Sequence, residues 1–262
     1  MDRWTLMLDI ELDEEALALK ERLEREGCRV KIGKDLPLME ESYLLLTDAP
    51  HCMDRAFQMN IPVIYYERPG SPPMYRTDMT VLGLSELDRD FFQRIYERHY
   101  GLPVIIAETQ RLLIRESIMK DSEGLWMLMQ DEEARRNIPA LDGGREDELE
   151  KLSAYIRSRY TYYGYGLYTV IWKETGEIAG RIGYEEREYQ GEIYTELGYL
   201  VGREYRNRGI AKEACLALAK DLERLTGYER AAIFCEKDNQ PSRRVAETVC
   251  RAWPRRFRLI IL

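Results

Sequence analysis

A chain of 262 residues is long for one ordinary domain and comfortable for two. Its composition, 45% hydrophobic and 33% charged, is that of a folded globular protein. A net charge of −8 argues against general nucleic-acid affinity, which needs Lys and Arg to neutralise phosphates, but leaves room for a local basic pocket that holds an anion. No apolar run approaches the roughly 20 residues of a membrane helix, so no membrane partner is expected. The first residues, with an acid inside their apolar stretch, do not read as a signal peptide. Cys28, Cys52, Cys215, Cys235 and Cys250 are scattered without a C-x-x-C pair. They read as core residues or surface thiols of a reducing cytoplasm, not as a zinc site or disulfide framework.

Up to about residue 102, strand-like and helix-like segments alternate. Trp4–Ile10 alternates apolar and polar, and Asp13–Glu26 is a charged, Leu/Ala-rich helix closed by Gly27. Tyr43–Thr47 is a continuous apolar run, as expected of a buried parallel strand. A helix follows at 52–59, then strands at 61–66 and 81–83. The last helix of this half spans 85–100, with Ser85 as its N-cap. The alternation predicts a small α/β domain, Rossmann-like, over residues 1–102. Gly101-Leu102-Pro103 marks a short boundary, and a second domain is expected over 103–262.

The second half has another order. Residues 111–118 are strand-like, and helices are expected over 121–129 and 146–163. Leu167–Lys173 and Glu177–Tyr184, joined by Glu174-Thr175-Gly176, read as a hairpin. A strand over 193–201 leads to a single helix over 209–226, with Ile210, Ala214, Leu218, Leu222 and Leu225 on one face. A strand at 231–235 and a helix over 239–249 follow.

The chemically informative stretch runs from Glu196 to Ala211. A strand enters a short basic loop, Arg206-Asn207-Arg208-Gly209, and an amphipathic helix begins at once with Ile210-Ala211. Helix N-termini expose unpaired N–H groups and the positive end of the dipole, which suits a phosphate. Gly209 lets backbone approach closely, and Arg206 and Arg208 add charge for a pyrophosphate.

This string resembles the (Q/R)-x-x-G-x-(G/A) loop of the GNAT acetyltransferase superfamily. Three more segments resemble its RimJ/RimL-type branch. They are Thr109-Gln110-Arg111-Leu112-Leu113-Ile114-Arg115, Glu196-Leu197-Gly198-Tyr199, and Asn239-Gln240-Pro241-Ser242. The resemblance covers about 150 residues, from about 107 to 249. It implies a mixed-sheet α+β domain that uses acetyl-CoA as co-substrate and acetylates a primary amine, small or at a protein N-terminus. A non-catalytic acyl-CoA sensor is the alternative.

By the same resemblance, Leu200 and Val201 hold the pantetheine arm and thioester oxygen with free backbone groups. The loop from Arg206 through Asn207, Arg208, Gly209, Ile210 and Ala211 holds the pyrophosphate. Asn239 and Ser242 face the cofactor. Glu196 is the candidate base, and Ser242 the candidate donor to the leaving sulfur, because the family's frequent tyrosine is replaced here by Ala246. The tyrosines between 160 and 168 either wall the acceptor site or simply pack.

The pattern breaks at the end. The family follows its last helix with a Gly-Phe turn and two strands, whereas residues 249–262 have room for one, at Arg258–Leu262, and carry four arginines. The expectation is a shortened or altered C-terminus with an exposed sheet edge, open to pairing in a homodimer. In the first half, Thr47-Asp48-Ala49-Pro50 and Ile61-Pro62-Val63-Ile64-Tyr65 distantly resemble a haloacid-dehalogenase-like fragment. Its D-x-D-G nucleophile motif is missing, the nearest string being Asp9-Ile10-Glu11. A catalytically silent domain for packing, oligomerisation or sensing is expected there, with no metal.

Overall fold

A computed structural model describes residues 4–33, 42–72, 74–131 and 145–262. The chain forms two compact units, 1–102 and 103–262. No helix among the described residues is long and apolar enough to cross a membrane.

In the first unit, β1 (Trp4–Asp9), β2 (Arg29–Ile32), β3 (Ser42–Thr47), β4 (Val63–Tyr66) and β5 (Met79–Val81) form a sheet in the order β2-β1-β3-β4-β5, every pair parallel. Helix α1 (Glu14–Arg25) and α3 (Arg89–His99) share one core with Leu6, Leu8, Leu44 and Ile64. Helix α2 (Met53–Gln58) packs on Met7, Tyr43, Leu45 and Val63, which point to the opposite face. Both faces are covered, so β1 is buried along its whole length, Thr5 included. That burial overrides the apolar–polar alternation its sequence displays. Strand β2 escapes sequence reasoning because its Arg-Val-Lys-Ile run lies exposed at the sheet edge.

Ser85 does not cap α3. The amides of Leu84 and Ser85 bind the Glu15 carboxylate, and the helix starts beyond Asp88, whose Oδ1 accepts from Phe91 N at 2.7 Å. Asp48 is likewise engaged. Its Oδ2 accepts from Arg68 Nε at 2.8 Å and from Glu11 N at 3.2 Å. Among the described residues, no group of His, Cys, Asp or Glu is arranged to hold a metal.

The second unit is built on a sheet of order β12-β11-β10-β9-β8-β7-β6. Its members are β6 (Ile105–Glu108), β7 (Leu112–Arg115), β8 (Leu167–Trp172), β9 (Ile178–Tyr189), β10 (Glu192–Val201), β11 (Ala231–Cys235) and β12 (Phe257–Ile261). Strands β6 to β10 pair antiparallel, and β10, β11 and β12 pair parallel. The strand expected at Arg258–Leu262 is therefore present, beside β11. One face of the sheet carries α6 (Ile210–Ala219), α7 (Leu222–Thr226) and α8 (Gln240–Ala252), closed around Tyr184, Leu197, Leu218 and Val249. The other carries α4 (Ser122–Met129) and α5 (Arg145–Tyr155), whose Leu125, Leu128 and Leu152 pack with Ile178 and Leu200.

Two helix expectations are corrected. The helix over 209–226 breaks between α6 and α7, where Asp221 N bonds Leu218 O, a tighter i to i−3 turn that ends the α pattern. The helix over 146–163 is α-helical only to Tyr155 and continues as a π-helix through Tyr163. The buried Tyr160 hydroxyl donates to Leu167 O at 2.6 Å, tying that segment to β8.

Candidate active site

Strands β10 and β11 share one register pair among the described residues, Glu196 with Ala232, and separate beyond it. On its other side β10 stays in continuous register with β9 from Glu192 to Val201. The separation opens a cavity of about 700 Å³. Its lining includes Glu196, Leu200, Val201, Arg206, Asn207, Gly209, Ile210, Ala211, Asn239 and Ser242. Of the sequence candidates only Arg208 is missing from that lining. Its exposed guanidinium lies over the Tyr205 ring, 5.8 Å from the centroid.

At one end of the cavity is the start of α6. Gly209 adopts φ +77°, a conformation that suits glycine, and leaves the helix without a side-chain N-cap. The first N–H groups of α6, at Ile210, Ala211 and Lys212, are therefore not taken by a capping side chain, as an anion site requires. Ile210 is buried and anchors the turn. Arg111 secures the same turn from outside, with Nη1 donating to Arg208 O at 2.9 Å and Nε to Glu213 Oε2 at 2.7 Å.

Arg206 lines the cavity and also has partners of its own. Its Nη2 pairs with Asp131 at 2.9 Å and its Nε donates to Val201 O at 3.1 Å, so the guanidinium ties the loop down. The Val201 carbonyl is consequently not a free backbone group, which corrects that part of the reading. Lys212 and Arg244 also line the cavity and were missed as site residues. Arg244 stands two positions beyond the end of the Asn239–Ser242 string, where helical periodicity is the only signal for it.

Glu196 lies at the point where the strands part. Its carboxylate accepts two bonds from Arg187 Nη1, at 3.1 and 3.2 Å, and is one-fifth exposed. Burial pushes its pKa above the usual carboxylate range, the charge and hydrogen bond of Arg187 oppose this, and Glu185 adds to the rise.

Ser242 belongs to a cluster. Its Oγ is 2.9 Å from Tyr199 Oη and 3.2 Å from Cys235 Sγ, and Tyr199 Oη also donates to Ser242 O at 2.8 Å. Burial raises the Tyr199 phenol and the Cys235 thiol, so both stay protonated at neutral pH. Asn239 caps α8, its Oδ1 accepting from Ser242 N at 3.1 Å, and so fixes the serine that faces the cavity. Tyr199 was quoted within the Glu196–Tyr199 string but given no role, because its hydroxyl partner lies far along the chain. Ala246 is fully buried and offers no hydroxyl.

A mixed sheet parted between two parallel strands, with a glycine-led helix N-terminus at the mouth, is an arrangement that suits a long ligand with an anionic end. An acetyltransferase (GNAT) domain model matches residues 111–249, a little over half of the sequence. The chain belongs to the GNAT family of acetyl-CoA-dependent acetyltransferases. It is 28% identical over 141 residues to an uncharacterized N-acetyltransferase, YnaD, of Bacillus subtilis, covering 54% of this chain and 79% of the relative. An acetyltransferase of the same family from Bacillus anthracis is 28% identical and superposes with a TM-score of 0.45 over 55% of this chain and 81% of that one. RimL, a ribosomal alpha-N-protein acetyltransferase solved with coenzyme A, is 22% identical, with a TM-score of 0.46 over 55% and 82%.

Proposed function

We propose that the second unit moves an acetyl group from acetyl-CoA to a primary amine by direct attack, with both substrates bound together. The observation that carries this reading is the parting of β10 from β11 beyond Glu196. It brings the candidate base, the hydroxyl cluster of Ser242 and the open N-terminus of α6 into one cavity.

The residues present suit the co-substrate. The α6 amides, Lys212 and Arg244 offer a pyrophosphate N–H groups and positive charge. Leu200 and Val201 line the path from that end toward Glu196, as a pantetheine arm requires. Bound acetyl-CoA supplies the activated thioester. Glu196 takes the proton that the amine must lose, a role suited to a carboxylate with a raised pKa. Ser242, backed by the protonated Tyr199, returns a proton to the leaving thiolate.

Replacement of Glu196 by Gln tests the reading. Turnover should fall on the order of 10²-fold, as expected for loss of a positioned general base, with unchanged affinity for acetyl-CoA by calorimetry. Unchanged turnover in this variant contradicts the assignment of the base.

A further inference from the structure

Alternate residues of a strand share one face of its sheet. On the face covered by α4 and α5, β9 presents Arg181, Gly183 and Glu185 in line. Directly opposite in β10 stand Leu200, Gly198 and Glu196. The middle pair is glycine on glycine, so no side chain rises there. A Cβ on Gly198 would meet nothing nearer than Leu167 Cδ2, at 3.9 Å. The backbone of Gly166 and Leu167 closes over Gly183, so the floor is open on the β10 side alone, over Gly198, between two carboxylates at one end and a guanidinium at the other. Four residue steps along the strand, about 13 Å of backbone, take Arg181 to Glu185.

The two ends differ in how their charge is met. Glu185 accepts from the Tyr155 hydroxyl at 3.0 Å, and Glu196 is paired with Arg187. Two carboxylates directly opposite across a strand pair repel, and an ammonium group between them relieves that repulsion. At the other end, Arg181 has no hydrogen bond or ion pair among the described residues. Its guanidinium lies 5.3 Å from the Tyr155 ring centroid, and Nε and Nη2 are buried without a partner. These two nitrogens form the edge of a guanidinium that offers parallel N–H donors, the edge that fits a carboxylate with two bonds. No hydrogen bond uses either donor of that edge, which leaves both for an anionic partner. The other arginines of the cavity floor and loop, Arg187 and Arg206, already hold Glu196 and Asp131.

We infer that the acceptor is a small amine that also carries a carboxylate, with its amine held at Glu185 and Glu196 and its carboxylate taken by Arg181. This inference rests on the acetyl-transfer reading of the same cleft. Arg181 is assigned as a specificity residue. It makes no contribution to the proton transfers.

The test compares a series of ω-amino acids with the matching alkylamines as acceptors, using the wild type, Arg181→Met and Arg181→Lys. Met keeps an apolar stem against Tyr155 and removes the charge. Acetyl-CoA binding is measured calorimetrically on each protein. The wild type should favour the amino acids over the alkylamines by at least about tenfold in kcat/KM. Arg181→Met should raise KM for the amino acids about ten- to a hundredfold, the range expected for loss of a charged hydrogen-bonded pair, with kcat nearly unchanged and the alkylamines unaffected. Arg181→Lys should recover part of the loss.

Equal wild-type efficiency on the two series, or an unchanged KM in Arg181→Met, overturns the inference. Acetyl-CoA binding without turnover of either series overturns it as well and leaves the cofactor site standing. Failure of the folded wild type to bind acetyl-CoA overturns the underlying reading.

Discussion

Glu196 and Ala232 face each other at the one register pair that joins β10 to β11 among the described residues. Strand β10 holds its register with β9 and leaves β11, so an open cleft appears inside a sheet that is otherwise paired. Its walls take the carboxylate of Glu196 from one strand and, from the N-terminus of α8, the hydroxyl of Ser242 and the cap Asn239.

The pH dependence should follow Glu196 and its neighbour. A base must be ionised to accept a proton, so activity falls as pH drops through the pKa of Glu196. Burial raises that pKa and Arg187 pulls it back. Removing the positive charge in Arg187→Gln takes away the lowering influence, and the acid limb of the kcat/KM profile should move to higher pH. A limb that stays in place, or moves lower, shows that Glu196 does not govern the profile.

Tyr199 and Ser242 should act as one unit. Tyr199→Phe and Ser242→Ala each remove one hydroxyl from a pair 2.9 Å apart. Each should lower kcat by about tenfold or more, and the double variant should lose little beyond the worse single one, as expected when two groups serve one proton transfer. Simple additivity of the two losses in kcat contradicts a shared role.

Stability has a distinct weak point at Arg115 and Asp121, a bidentate pair at 2.6 and 2.7 Å whose side chains are 11% and 6% exposed. Asp121 Oδ2 also accepts from Ile118 N. Asp121→Ala strands a buried guanidinium and should cost about 3–5 kcal/mol in denaturant unfolding. The double variant Arg115→Met with Asp121→Leu should recover much of that. A loss below about 1 kcal/mol in Asp121→Ala contradicts the view that this pair is desolvated.

The sequence made the β–loop–helix unit at Glu196–Ala211 legible because local rules alone decide it. A short basic loop that ends a strand and closes on a glycine before an amphipathic face admits few other structures. The hairpin over β8 and β9, the strand β11 and the helix capped by Asn239 were readable for the same reason. What the sequence hid depends on partners far along the chain. Nothing local to Arg206 announces Asp131, 75 residues earlier, which pairs with it. Tyr199 carries no role in its string until Ser242, 43 residues later, is placed against its hydroxyl. Ser85 looks like a cap until Glu15 binds its amide. Arg181 gave no motif at all, since its isolation is a property of the folded surroundings.

The account stands most directly on whether the cleft between β10 and β11 holds acetyl-CoA. Calorimetric titration of acetyl-CoA into the purified chain, beside Gly209→Glu, is the measurement. Gly209 has φ +77°, so the variant strains the turn and sets a carboxylate at the start of α6, where the phosphates are to lie. The account predicts saturable binding by the wild type and none measurable by the variant, with both proteins folded. Equal binding by the two would place the cofactor elsewhere, and no binding by a folded wild type would contradict the acetyl-transfer reading itself.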